Sequence, residues 1–594
     1  MDPRLSEVRA ETGTHEPSQR DAAAPAPPAR SATDPGVTSP RWHGLALVGV
    51  VSAFVLFAAW RASLGITPLD DGHYAAVPLR LAQGAHVFAD EMTTQGLGFL
   101  PAVPFARLWT ALFGLAGYVL ALRLFYVAVA AAVGYVIYRA LRPSFGAGVS
   151  ALVAWLPLLA PPYNIFGISY NTSAILAFSA AAALGLAAIR DSSRAKAAAA
   201  GIATAVGVVS YPPLALGGLV FAVTLALVAR DRRVILWFLI GAGGAGLLAG
   251  AWLLLTVSPH DVSRALRYSD SIWGDALDPR RRAWLLLRRL HVTLTRHWLL
   301  PMWTLAAVAC LPQIRPRWRA ILLALVPVLA CRQVVPDILA RGQRDMWLGL
   351  GTAWLTTSSL GVLPAVVVRV VRGMRGDVAR LLVLTAPMAI LDFAVVAIMT
   401  KSGWYWDVAF TGLAPFVMAV VVAWGCILRA DGGRWVFRSS AAVMACLAVF
   451  LLMAYAFKEG SPLHLNHRIA HGPLAGIATT DQRAAQLAAY EALGRRWVRK
   501  DSRVLVFNAP LVYVLVGGRM TTNAVWLSAG PSDRYTVEYF ARHHDWPDVA
   551  FVSKRLLEQP ASTGPAQSDP LIAALKRAYR VVDSTTRLDV LVRR

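Results

Sequence analysis

The chain is short of acid and almost free of cysteine. Its 594 residues hold 34 Asp and Glu against 58 Lys and Arg, and only four cysteines. Cys310, Cys331, Cys426 and Cys446 all fall in or beside apolar runs, and none forms a CxxC pair. That excludes a disulfide framework and a paired-cysteine zinc site. Residues 1–40 have almost no large apolar residue; their Pro, Ala, Ser, Asp, Glu and Arg make a disordered tail without the apolar core of a signal peptide. No glycine-rich loop follows a strand-like run, and no polar stretch has the size of a two-lobed nucleotide-sugar transferase. No run alternates apolar and polar residues over the length of a barrel strand, so a β-barrel is excluded.

What is present is continuous apolar sequence. The chain is 56% hydrophobic, with mean hydropathy +0.51. It reads as a polytopic α-helical membrane protein of roughly 11–14 spans. They fall at about 42–60, 97–114, 118–139, 147–162, 172–189, 196–229 (one or two passes), 234–257, 298–313, 319–333, 346–371, 380–400, 407–428 and 436–457. The formal net charge of +24 then belongs to loops and lipid contacts, not to nucleic acid. Arg139 and Arg142, Arg230 to Arg233, Arg315 to Arg319 and Arg369 to Arg380 carry much of it. By the order of the expected spans, these clusters fall on both nominal sides of the membrane. Arg41 before the first span favours a cytoplasmic N-terminus.

Three regions follow: a disordered cytoplasmic tail at 1–40, a multi-span membrane domain at 41–457 with outer loops 61–96 and 258–297, and a small extracytoplasmic α/β domain at 458–594. In that last region a helix is expected near Thr480 to Arg499. Strands are expected at Val504 to Phe507, Val512 to Val516, Val549 to Val552 and Leu588 to Val592.

The first outer loop holds the most telling residues, Thr67-Pro68-Leu69-Asp70-Asp71-Gly72-His73-Tyr74. A carboxylate pair at a membrane surface is costly to hold. Tyr74, Val77 and Leu81 follow at the spacing of one helix face, with Pro78 as a kink or break and Gly84 as a C-terminal cap. The pair then heads an interfacial helix, where the helix dipole favours its ionised form. Helix capping accounts for one Asp; it does not account for the second, nor for His73 and the return of Asp90-Glu91 in the same loop.

The order of Leu69-Asp70-Asp71-Gly72-His73-Tyr74, Arg80-Leu81-Ala82-Gln83-Gly84, Val87-Phe88-Ala89-Asp90, Gln95-Gly96 and Leu112-Phe113-Gly114 resembles the membrane-embedded GT-C glycosyltransferases that use lipid-phosphate sugars. These include the protein O-mannosyltransferases and the lipid A aminoarabinose transferases. The resemblance covers about residues 42–115 and is looser at Tyr211-Pro212-Pro213 and Thr400-Lys401-Ser402-Gly403-Trp404. It implies that Asp70 is the catalytic base and that Asp71 orients the acceptor, holds Asp70 or shares a divalent cation, the one cofactor in view. The family often has Glu at the second position, so Asp71 weakens the shared-metal role more than the base role. His73, Tyr74, Asp90 and Glu91 are the substrate-binding candidates of this loop. Arg264, Arg267 and Lys401 are candidates for the donor phosphate, with Arg267 placed ahead of Arg264. Tyr163, Tyr170 and Asn171 are placed along the lipid path. The implied reaction moves a hexosyl or pentosyl group from a polyprenyl phosphate to an envelope glycan, lipid or protein, with inversion. The rival readings are a transporter or flippase of lipid-linked saccharides, for which Asp392 is the intramembrane acid, and a non-catalytic scaffold.

Overall fold

The structure is a computed structural model that describes residues 41–159, 161–273, 279–295, 299–340, 350–374, 376–399, 406–527, 533–558 and 569–594. The chain divides between Phe54 and Val55. Of the first unit, residues 41–54 are described, as the apolar start of α1 (Arg41–Ala62).

The second unit is a polytopic helical bundle followed by a small α/β domain. After the last turns of α1 come α2 (Asp70–Ala82), α3 (Val103–Phe113), α4 (Tyr118–Ala154), α5 (Leu156–Leu159), α6 (Tyr170–Asp191), α7 (Arg194–Ser210), α8 (Ala215–Val228) and α9 (Arg232–Thr256). Then follow α10 (Pro259–Trp273), α11 (Pro279–Thr295), α12 (Leu299–Ala309), α13 (Pro316–Ala340), α14 (Leu350–Val371), α15 (Asp377–Met399) and α16 (Trp406–Ala454). Among the described residues, seven helical stretches are long and apolar enough to cross a membrane. Two of them, α4 and α16, are each two legs joined at a glycine. A straight helix of 49 residues, the length of α16, would run about 74 Å, more than twice a hydrocarbon core of about 30 Å. Gly146 (φ 77°) and Gly433 (φ 73°) break the two helices in the left-handed region that glycine enters without strain. A side chain at Gly146 would also meet the Arg429 guanidinium, 2.7 Å from the Cβ position.

The stretch expected to span at 97–114 is one of the seven by length and composition, but both of its ends are held on the same side. Before it, the Met92 amide donates to the Asn523 carbonyl; after it, the Gly117 amide donates to that of Gly472. Both flanks are therefore held by the C-terminal domain, on one face of the bundle. Between them α3 leaves Leu108, Leu112 and Phe113 exposed. The doubtful run 196–229 is two helices, α7 and α8. They part at Pro212 and Pro213, which have no amide hydrogen to continue a helix.

The arginine clusters gather at the end of the bundle away from the C-terminal domain. Arg190 donates to the Ala140 carbonyl and to Ser144 Oγ, and Ser144 bonds Asp377. Arg369 pairs with Asp431, Arg372 donates to the Cys310 carbonyl, and Ala188, Ala197 and Val234 share one apolar cluster. These contacts join the loops near residues 140, 190, 230, 312, 375 and 431 at a single face. The expectation that they fall on both sides is corrected.

The C-terminal domain opens with the two-stranded β1 (His467–Arg468) and β2 (Ala478–Thr479), then α17 (Asp481–Trp497), whose Thr480 hydroxyl accepts the Arg483 amide. Its main sheet is ordered β4-β3-β5-β7-β6, from β3 (Arg503–Val506), β4 (Arg519–Met520), β5 (Val549–Ser553), β6 (Tyr579–Ser584) and β7 (Leu588–Arg593). β3 runs parallel to β4 and β5, and β7 antiparallel to β5 and β6. The helices α18 (Leu511–Val516), α19 (Asp533–His543), α20 (Lys554–Glu558) and α21 (Pro570–Ala578) fill the connections. The expected strand Val512 to Val516 is helix α18. Its β-branched residues fit a strand by propensity, but the segment starts at Pro510, stops at Gly517 and packs on α2 and α17, and packing overrides propensity.

Candidate active site

The C-terminal domain fixes the head of α2. The Leu511 amide donates to the Pro68 carbonyl at 3.0 Å. Gly72 lies against the backbone of Leu511, where a Cβ would stand 2.2 Å from the Leu511 nitrogen. Only glycine fits after the acidic pair. α2 runs unbroken through Pro78 to Ala82, and Gly84 follows with φ 101°.

The two carboxylates have different surroundings. Asp71 is buried. Its Oδ1 accepts from Arg123 at 2.6 Å and its Oδ2 accepts the Thr67 amide at 2.9 Å. Arg123 also donates to the Ala62 carbonyl at 2.8 Å. Asp71 thus ties the end of α1, the loop before α2 and Arg123 near the start of α4 into one knot. Asp70 is partly open, at 13% side-chain exposure, and its ion pair is with Lys458 at 3.3 Å. Burial raises the Asp70 carboxyl above the usual carboxylate range; Lys458 opposes this, and the Asp71 charge adds to it. Burial likewise lowers the Lys458 ammonium, against the pull of Asp70. Cavities of about 20 Å³ and 10 Å³, each lined in part by Asp71 and Arg123, are large enough for about one water apiece.

Of the other loop residues, Glu91 and Asp90 hold the C-terminal domain. Glu91 is fully buried. It pairs with Arg80 at 3.2 Å and accepts from Thr93 at 2.8 Å and from the Val525 amide at 2.9 Å. Arg80 also donates to the Thr522 carbonyl. Asp90 accepts the His86 amide at 2.7 Å and the Tyr539 hydroxyl at 2.9 Å. His73 is buried edge-on to Phe99 and Trp526, with ring centroids 5.1 and 5.5 Å away. Neither of its ring nitrogens has a well-formed hydrogen bond. Burial pushes its imidazole down to about 4, with Gln95 opposing weakly. Tyr74 stays protonated, because burial raises its hydroxyl well above the usual value.

Arg264, on α10, is buried. Its terminal nitrogens have no hydrogen-bond acceptor, and its ion pair with Asp261 is long, at 3.8 Å. Arg542 of α19 reaches the same Asp261 at 3.9 Å. Arg267, one turn away, is exposed. Lys401 lies outside the described residues.

No protein-family model and no curated protein matches the chain. Among solved structures it is similar, over 92% of its length and 98% of the other's, to ArnT from Cupriavidus metallidurans in the apo state, at 15% identity and TM-score 0.41. The undecaprenyl phosphate-bound form of that protein gives 12% identity and TM-score 0.43, over 92% of this chain and 97% of that one. The Archaeoglobus fulgidus oligosaccharyltransferase in complex with zinc and sulfate gives 11% identity and TM-score 0.42, over 85% of this chain and 68% of that one.

Three cations that sequence reading passed over organise the site. Lys458 was visible only as a domain boundary; its φ of 56° is unusual for a residue with a side chain. Arg123 lies inside an apolar run, and an intramembrane charge is by default worth pursuing. Arg61 is fully buried at the end of α1. It donates to the Leu452 and Tyr455 carbonyls at 2.7 and 2.8 Å, and Asn164 also donates to Tyr455, at 3.1 Å. Together they satisfy the free carbonyls at the end of α16 and so fix the backbone that carries Lys458.

A divalent cation shared by the acidic pair does not fit these contacts. Both Asp71 oxygens are engaged and Lys458 occupies Asp70. Among the described residues no three His, Cys, Asp or Glu side chains converge on a point.

Proposed function

We propose that the chain is a membrane-embedded glycosyltransferase. It moves a hexosyl or pentosyl group from a polyprenyl-phosphate donor to an envelope glycan, lipid or protein, with Asp70 as general base. The observation that carries this is the asymmetry of the pair: Asp71 is locked into the scaffold, while Asp70 stands at the head of α2, partly open and held by a lysine.

The chemistry follows from that placement. An acceptor hydroxyl is a weak nucleophile, and a positioned carboxylate takes its proton as the new C–O bond forms. The bond from the anomeric carbon to the phosphate oxygen breaks on the opposite face, which inverts the centre. The Lys458 charge opposes the rise that burial gives the Asp70 carboxyl, and so favours the ionised form that can accept the proton. The departing phosphate is already an anion and needs fixed cations rather than an acid. Arg264, buried with free N–H groups, suits that task better than the exposed Arg267, which reverses the order expected from sequence. Lys401 is a second candidate.

The arginine-rich face supports an orientation. By the positive-inside rule that face is cytoplasmic, so the site and the C-terminal domain face outward. The transporter reading loses support from Asp392. Its side chain is fully buried between Gly217 and Gly412: a Cβ added at Gly217 would stand 1.9 Å from a carboxyl oxygen, and one at Gly412 2.6 Å from the Asp392 Cβ. Glycine backbone packed on two sides favours a closed position over the lining of a path, although both carboxyl oxygens lack a well-formed hydrogen bond.

The test is transfer by purified protein from polyprenyl-phosphate sugars. Asp70→Asn should lower turnover by about 10²–10⁴-fold in a protein that remains folded. Near-parent turnover in that variant would remove Asp70 as the base.

A further inference from the structure

Helix α11 holds five arginines and no acidic residue between Pro279 and Thr295. Its neighbours place it. It packs on α12 and α15. α15 starts at Asp377, which bonds Ser144 on the arginine-rich face, and runs 23 residues to Met399. That is about 34 Å, enough to cross a hydrocarbon core of about 30 Å. The Arg282 guanidinium donates to the Ile398 carbonyl at 2.7 Å, so α11 begins at the far end of α15. α12 likewise ends beside Cys310, whose carbonyl accepts from Arg372 on the arginine-rich face. The arginines of α11 and the clusters described above therefore belong to opposite ends of the bundle. The positive-inside rule accounts for those clusters and not for α11.

The exposed side of α11 is a stripe. Arg281, Trp284, Arg288 and His291 are exposed at spacings of three, four and three, the repeat of a single helix face. Arg280 and Leu287 flank them and are exposed too. Trp284 keeps 57% of its surface and Leu287 64%. The Arg288 guanidinium stands 5.5 Å from the Trp284 ring centre. Arg282 and Leu286 turn to the opposite side, where the helix is held to the bundle. Such a stripe suits neither water nor acyl chains. Trp284 and Leu287 gain nothing from facing water, and arginines are costly among lipid tails. Both suit the boundary, where indole rings settle at head-group depth and guanidiniums bind phosphate oxygens.

We infer that α11 docks on anionic phospholipid head groups in the leaflet at this end of the bundle. Arg281 and Arg288 hold the phosphates, and Trp284 and Leu287 enter between the head groups. Nothing on the helix offsets its charge, so a lipid of net negative charge suits it better than a zwitterionic one, which brings its own cation to the same place. A second copy of the chain is a poorer fit, because a two-fold contact would set stripe against stripe and bring like charges together. The surface is separate from Asp70 and does not rest on the glycosyl-transfer reading.

The experiment uses the full-length chain with its four cysteines replaced and Leu287→Cys carrying a fluorophore, in bilayers of phosphatidylcholine and phosphatidylglycerol. Brominated phosphatidylglycerol and brominated phosphatidylcholine are supplied in turn, in equal amounts, as quenchers. The label on the parent should be quenched by both, and more by the brominated phosphatidylglycerol. Added salt should narrow the difference. One arginine near an anionic surface is worth about fivefold in lipid affinity. Arg281→Gln with Arg288→Gln should therefore remove most of the preference, while thermal unfolding stays at the parent's value because both side chains are exposed. Equal quenching in the parent overturns the anionic lipid. A preference that survives the double variant overturns the stripe as its source. No quenching by either lipid overturns the membrane contact, and a dimer that Trp284→Ser breaks puts a second copy in its place.

Discussion

Replacing Asp71 should damage the fold, and replacing Asp70 should damage the chemistry. Asp71→Ala leaves Arg123 buried without its carboxylate and frees the Thr67 amide at the head of α2. Breaking one side of a buried ion pair costs about 3–5 kcal/mol, and losing the hydrogen bond from the Thr67 amide about 1 kcal/mol more. That is a large fraction of an ordinary folding free energy of about 5–15 kcal/mol. Asp70→Asn is isosteric and keeps an oxygen toward Lys458, which leaves at most the roughly 1.5–3 kcal/mol of a charged hydrogen bond at risk. Thermal unfolding in detergent and transfer turnover, measured on the same preparations, separate the two effects. Asp71→Ala should unfold well below the parent, with turnover per folded molecule largely retained. Asp70→Asn should unfold near the parent and turn over about 10²–10⁴-fold more slowly. The reverse outcome, a stable and inactive Asp71→Ala beside an active Asp70→Asn, would refute the division of roles.

Turnover should fall on the acid side as Asp70 is protonated. Lys458 lowers the Asp70 pKa against burial, so Lys458→Met should move the acid limb of the pH–rate profile to higher pH; an unmoved or lowered limb contradicts the pairing. Arg264→Ala should weaken catalysis with a lipid-phosphate donor by roughly 1.5–3 kcal/mol, whereas Arg267→Ala should leave it near the parent; equal losses would show that burial is no guide here. Nucleotide sugars should not serve as direct donors, and transfer from one by protein stripped of lipid donor would defeat the proposed mechanism. In a background with all four cysteines replaced, single cysteines at the exposed positions Gln83, Ser263 and Gln482 should be labelled from outside intact cells and Ser192 protected. Mixed labelling among the first three would break the shared outer face.

The class of fold was legible because apolar runs of membrane length have few other readings. The sidedness was not, and two errors explain it. Treating 97–114 as a span inverts every loop after it, so the arginines near 140 and 190 land on the wrong face. Counting the run 196–229, which was left open as one or two passes, as a single pass inverts the count again, so everything after residue 230 comes out right. An apolar stretch that lies along a surface and one that crosses differ in what holds their ends, here Asn523 and Gly472, and sequence spacing does not report that. Asp70-Asp71 was visible as a pair, but not which member was free, since the answer lies in Arg123 and Lys458, 52 and 388 residues away. His73 and Glu91 drew notice for their chemistry; the structure gives one an aromatic box and the other a clamp on the far domain. Val512 to Val516 misled because its residue types suit a strand while its length and its end residues suit a single helical turn.

The clamp between Glu91, Arg80 and the segment Thr522–Val525 bears on how the protein is made. The candidate base is encoded near residue 70, yet the backbone groups that seat its loop arrive more than 430 positions after Arg80 and Glu91. A ribosome adding residues at about 5–20 per second needs some tens of seconds to cover that interval. Throughout it Arg80 and Glu91 lack their backbone partners. The nascent bundle is therefore incomplete at the site until synthesis is nearly finished, and a chain released early, short of residue 525, should carry every helix of the membrane part and no working centre.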